Sequence, residues 1–123
     1  SYTPITDGAL AHVAAMPQLS TLEIVGTRVT DDGVKALGQT KSLTALDLSD
    51  TATGDAALDA LLDLPKLASL VLRGTKVTDA GAAKLGRMKL LRHVDLGATV
   101  VTEAAVKALA KELPEARVVG NEQ

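Results

Sequence analysis

The sequence predicts an α/β solenoid, a stack of short strand–helix units with parallel strands, and three observations carry that prediction. Apolar and threonine positions recur every 24 residues without a gap. Leu19, Leu43, Leu67 and Leu91 form one row, and Leu22, Leu46, Leu70 and Val94 a second. Ile24, Leu48, Leu72 and Leu96 form a third, and Thr27, Thr51, Thr75 and Thr99 a fourth. A period of this size marks supersecondary units that each bury little alone and share one continuous core. Within each unit the apolar spacing changes from two to about three, the mark of a strand followed by a helix. The composition suits thin, regular layers, with 46% apolar residues but no Phe, no Trp and a single Tyr.

The elements follow in order. Ile5-Thr6-Asp7 aligns with Val29-Thr30-Asp31, so the first unit is partial and enters at its helix. The first strand falls around residues 20–25, with one edge open or continued by chain outside this sequence. Leu43-Thr-Ala-Leu-Asp-Leu48 alternates with period two and reads as a strand with Leu46 and Leu48 facing the core. From Val77 to Met88 the apolar residues Ala82, Leu85 and Met88 lie three apart, which fits a short helix with one buried stripe. Thr30, Thr78 and Thr102 each precede an acid (Asp31, Asp79, Glu103) and read as N-caps followed by a charge that suits the helix dipole. The third unit is irregular: Thr53-Gly54 replaces Val-Thr, and Ala57 replaces Gly33 and Gly81. There a core valine and the threonine cap are lost, with Asp55 the substitute cap. At the far end Glu112 occupies the row of Leu64 and Met88, and Arg117–Val119 offers a last strand. Terminal repeats need polar outer faces, and this unit changes in that direction.

Each unit thus reads L-x-x-L-x-L-x-x-T-x-V-T-D-x-G-x-x-x-L. That pattern resembles leucine-rich repeats, and its Thr-x-Val-Thr-Asp-x-Gly variant resembles bacterial tandem repeats of the cysteine-containing or ribonuclease-inhibitor-like type. The likeness extends over residues 5–120. It implies a right-handed solenoid with its parallel sheet on the concave face and short helices on the convex face. It also implies a protein-interaction scaffold, with no particular ligand. The family often places Asn or Cys where this chain has Thr27, Thr51, Thr75 and Thr99. A threonine hydroxyl can bond neighbouring loop backbone, so the row reads as a shorter substitute for an asparagine ladder.

Composition excludes several functions. Thirteen Lys and Arg are interspersed with 15 Asp and Glu for a net charge of −2, leaving no basic block for phosphates. Without aromatic platforms for bases, nucleic acid is not an expected partner. Zero cysteines remove disulfides, thiol catalysis and cysteine-held zinc. No apolar run approaches a membrane span, and the first residues lack a signal-peptide pattern. Compartment stays open, with the cytoplasm favoured over the periplasm or secretion.

Chemistry has little to work with. His12 falls on an outer helix face beside Ala36 and Lys84 in register. His93 and Asp95 share one strand face, but Asp47 stands two strands away across Val71, roughly 10 Å from Asp95 at ordinary strand spacing. No phosphate loop, dinucleotide fingerprint or H-E-x-x-H occurs. The expectation is no enzyme, no metal and no cofactor. The helix charges Lys35, Asp59, Asp63, Lys84, Arg87, Lys107 and Lys111 alternate in sign between units, so neighbouring helices are expected to pair.

The predicted architecture is therefore one domain over residues 1–123, with about five units. Its expected role is non-catalytic binding of a protein or peptide on the concave sheet. The outward contacts are Glu23, Asp47, Arg73, His93, Asp95 and Arg117, with Arg73 the strongest because arginine is enriched at interface hot spots. The alternative is an architectural module of a larger assembly acting through its open ends, as a monomer or by end-to-end association.

Overall fold

A 24-residue repeat brings like residues side by side when each strand pairs with the one 24 positions later. The computed structural model describes residues 20–24, 30–38 and 40–120. Their element order is β1 (Thr21–Glu23), α1 (Asp31–Leu37), β2 (Ala45–Asp47), α2 (Asp55–Leu61), β3 (Ser69–Val71), α3 (Asp79–Leu85), β4 (His93–Asp95), α4 (Glu103–Glu112) and β5 (Arg117–Val119). The five strands form one parallel sheet in sequence order. Leu22 pairs with Leu46, Leu46 with Leu70, Leu70 with Val94 and Val94 with Val118. Leu19, Val25, Thr27, Val29, His12 and the Ile5–Asp7 match lie outside the described residues.

Strands of three residues and helices of seven cannot persist alone, since helix nucleation is costly and a short ladder makes few bonds. They persist because the rows share one core. Leu43, Leu48, Leu58, Leu61, Leu70, Leu72, Leu85, Leu91, Val94 and Leu96 are all fully buried and form one cluster. The helical stripe Ala82, Leu85 and Met88 is buried as well, although α3 itself is shorter than the residue 77–88 span. No helix among the described residues is long and apolar enough to cross a membrane.

The threonine row behaves as its position predicts. Thr51, Thr75 and Thr99 each donate their hydroxyl to the carbonyl three residues back, on Leu48 (2.8 Å), Leu72 (2.7 Å) and Leu96 (2.6 Å). These bonds close the loop after each strand, where the preceding residue turns left-handed: Asp50 has φ 58°, Gly74 69° and Ala98 56°. In the irregular third unit Thr53 is fully buried in the valine row. Its hydroxyl is satisfied by Thr51 Oγ1 at 2.7 Å, so the polar substitution is paired rather than orphaned.

The threonine–acid pairs work differently from their sequence reading. Thr30 and Thr78 make no side-chain cap to their own helices, and Gly54, not Asp55, occupies the N-cap of α2. Each aspartate instead reaches forward to the next unit. Asp55 accepts from the Thr78 amide at 2.8 Å and from its hydroxyl. Asp79 does the same to Thr102, at 2.7 Å from the amide and 2.8 Å from the hydroxyl. Asp31 accepts from the Gly54 amide, at 2.6 Å, and from no hydroxyl of the irregular unit, which has none there. Among the described helices only that of Thr102 is also capped by its own threonine, which accepts from the Ala105 amide at 3.2 Å. The carboxylate thus satisfies the start of a neighbouring helix, and Gly81 leaves room for it: a Cβ there would run into the Asp55 carboxylate.

The helix charges pair across units at one expected place, Lys84 with Asp59 at 2.9 Å. Lys35 and Lys107 instead pair within their own helices, with Asp32 and Glu103. At the C-terminal unit the helix runs ten residues to Glu112, which is exposed. Leu113, one position later, supplies the buried contact that Leu64 and Met88 make in their units.

The carboxylate ladder makes a graded prediction. Asp79→Ala removes two charge-assisted bonds between units and should cost about 1–2 kcal/mol, and Asp31→Ala, losing one, about half that. Urea titrations of the two variants check the order; equal or reversed losses would show that the ladder does not join the units.

Candidate functional site

Alternation along five strands puts two rows of side chains on the sheet's outer face, opposite the buried leucine row. One row is Thr21, Ala45, Ser69, His93 and Arg117; the other is Glu23, Asp47, Val71, Asp95 and Val119. Ser49, Arg73 and Gly97 extend the face where the strands end. The strands place Glu23, Asp47, His93, Asp95 and Arg117 on this one surface, and the turn after β3 adds Arg73.

Two of the acids are committed locally. Asp47 accepts from the Ser49 amide at 2.9 Å and its hydroxyl at 2.6 Å. Asp95 accepts from the Gly97 amide at 2.9 Å. Each is an Asx-type turn that ends a strand, a pattern already visible as Asp-x-Ser and Asp-x-Gly. Arg73 then spans to the next strand, its Nη1 3.3 Å from Asp95 Oδ1. Its side chain remains 52% exposed while that of Asp95 is only 16% exposed, so the arginine covers the acid and keeps a free side. Glycine at 97 makes this possible, because a Cβ there would collide with the guanidinium. By contrast Glu23 and Arg117 are exposed, and neither has an ion-pair partner among the described residues.

Between β1 and β3 the small side chains Ala45 and Ser69 leave an open hollow of about 150 Å³, bordered by Thr21, Glu23, Asp47 and Val71. Its mouth is wide and its lining regular. Val71 stands in register between Asp47 and Asp95. Among the described residues no group of three or more His, Asp or Glu side chains is placed to hold a metal. Nor does any described buried side-chain polar atom lack a partner.

With sheet order, 24-residue pairing and short intervening helices established, comparison with known proteins decides the architecture. A family model described as leucine-rich repeat matches residues 16–38 and 63–86. The chain has the leucine-rich-repeat fold. The array is similar to a leucine-rich-repeat protein of Leptospira interrogans, at 23% identity and TM-score 0.66, over 87% of this chain and 26% of that one. It is similar to internalin C2 of Listeria monocytogenes at 24% identity and TM-score 0.61, over 94% of this chain and 44% of that one. It also resembles the second actin-binding site of leiomodin-1, at 16% identity and TM-score 0.66, over 93% of this chain and 76% of that one. The array thus spans less than half of either bacterial relative's chain. Among curated proteins none matches the chain.

The seating of Arg73 against Gly97 is testable by coupling. Gly97→Ala should become more favourable by about 0.5–1 kcal/mol when Arg73 is replaced by Ala, since the added methyl no longer displaces the ion pair. Chemical denaturation of the four proteins in the cycle reads the coupling; a value near zero would place the arginine elsewhere.

Proposed function

We propose that this array is a non-catalytic module that binds a protein or peptide on the outer, concave face of its sheet. Leucine-rich repeats are typically binding modules without catalytic activity. The observation that carries the choice of face is the sheet itself. Five parallel strands fix their outward side chains in register, and small residues at Ala45 and Ser69 leave space above them. A backbone that approaches such a surface loses little entropy in the receptor, because that surface is already ordered. Two structurally similar chains support the same reading: an actin-binding site in leiomodin-1, and the Mex67:Mtr2 subunits of Chaetomium. The Thr-x-Val-Thr-Asp-x-Gly signature supports assignment to the bacterial 24-residue subtype.

Glu23, Asp47, Arg73, His93, Asp95 and Arg117 are the proposed contacts. Mixed charge and no aromatic anchor suit a polar partner and modest affinity. Stable interfaces use about 20–30 residues a side, more than five short strands supply.

Two charge reversals test the face. Arg73→Glu and Lys84→Glu each break one ion pair between neighbouring units, and thermal melts of both variants separate structural cost from lost binding. The ligand for the test is a peptide selected on the wild-type chain from a random display library. Calorimetry should show Arg73→Glu weakening binding about tenfold or more, with Lys84→Glu within about twofold of wild type. Equal affinity for Arg73→Glu and wild type would move the site off the sheet and favour the solenoid's ends.

A further inference from the structure

The charges on the outer face are not evenly spread. Glu23 and Asp47 are register partners on β1 and β2, and they border the hollow. His93 and Arg117 are register partners on β4 and β5, in the other outward row. Between the two pairs, β3 offers Ser69 and the half-buried Val71. The other charges on the face, Arg73 and Asp95, neutralise each other. The surface therefore runs from acidic, through a small apolar middle, to basic.

We infer that the occupant of this face is an extended segment crossing the strands obliquely, with a basic, an apolar and an acidic side chain at alternating positions i, i+2 and i+4. This rests on the proposed use of the sheet face and specifies the chemistry of what binds there. From the middle of the β1–β2 pair to the middle of the β4–β5 pair is three strand spacings, about 14 Å, and the change of row adds about 7 Å along the strands. The diagonal is roughly 16 Å on a flat sheet and shorter on a curved one, the reach of four to five extended residues at about 3.3 Å each. Alternate residues of an extended chain point to the same side, so positions i, i+2 and i+4 face the sheet together.

The basic side chain enters the hollow beside Glu23 and the second carboxylate oxygen of Asp47, whose Oδ1 is held by Ser49. Val71 meets the apolar side chain, and Arg117, with His93 beside it, meets the acid. Opposite charge at its two ends is what distinguishes this partner from other polar peptides, because a segment charged alike at both ends sets like charges against the face at one of them.

A charge exchange tests the inference. Two labelled peptides are compared, Lys-x-Val-x-Glu and Glu-x-Val-x-Glu in the same flanks, by fluorescence anisotropy at low salt. Their receptors are the wild-type chain and the variant Glu23→Lys, which makes both ends of the face basic. The substituted residue is exposed, and circular dichroism melts check that the variant folds. Wild type should favour the first peptide about tenfold or more, and Glu23→Lys should reverse that preference. In 0.5 M salt both preferences should shrink, as screening over about 4–5 Å removes exposed attraction.

Amide chemical-shift mapping with the preferred peptide accompanies the titrations. Shifts at Ala45, Ser69 and Val71 with equal affinity for both peptides would overturn the charge order and leave the face reading intact. Shifts confined to the helices, or no binding of either peptide to wild type, would overturn the inference. Helical shifts alone would also remove the face on which it rests.

Discussion

Everything in this molecule depends on one equality: the sequence repeats every 24 residues, and each strand pairs with the strand 24 residues on. Leucine therefore meets leucine or valine in successive layers, and each layer accommodates side chains of similar size. A protein with no Phe or Trp can fill its interior this way because the gaps between thin units are small and uniform. The same equality aligns the polar rows. The loop threonines close their own turns, and the helix-start aspartates close the turn of the next unit, so polar and apolar contacts point to one register. Agreement between levels is what makes such a short unit specific.

The fold was legible because the rows that carry it are physical rows in space. Leu46, Leu70 and Val94 are inward and paired, as their period implies. The threonine hydroxyls were legible too, since a polar group at a fixed offset from a buried strand has few carbonyls within reach. The helix-start aspartates were misread for a definite reason. A Thr-Asp pair before a helix has a local use, capping, and also a use 23 residues away that no local pattern shows. The distant use wins because solenoid stacking brings the next helix start against the aspartate. In the third unit, Thr53 would have been recognised as a paired core residue only by knowing that Thr51 lies beside it.

The outer face was legible in membership and less so in its allocation of charge. Strand alternation identified Glu23, Asp47, His93, Asp95 and Arg117 as co-facial. It could not show that Asp47 and Asp95 spend one oxygen each on their own turns, or that Arg73 folds across Asp95 into the space left by Gly97. Those commitments concentrate the free charge at the two ends of the sheet. A regular scaffold with an uneven face is a natural receptor for an asymmetric ligand, because the scaffold contributes rigidity and the face contributes direction.

The central claim is that no unit stands alone, so the array opens as one body. The amides of Leu48, Leu72 and Leu96 report on it, since each donates across the sheet to the following strand, at Val71, Asp95 and Val119. Native-state hydrogen exchange with increasing denaturant reads the opening energy at each. Interdependent units predict one shared opening free energy, equal within about 0.5 kcal/mol, and one shared denaturant dependence for all three. Three separate energies, with Leu96 opening well before Leu48, would show that the units are independent and that register alone holds the stack.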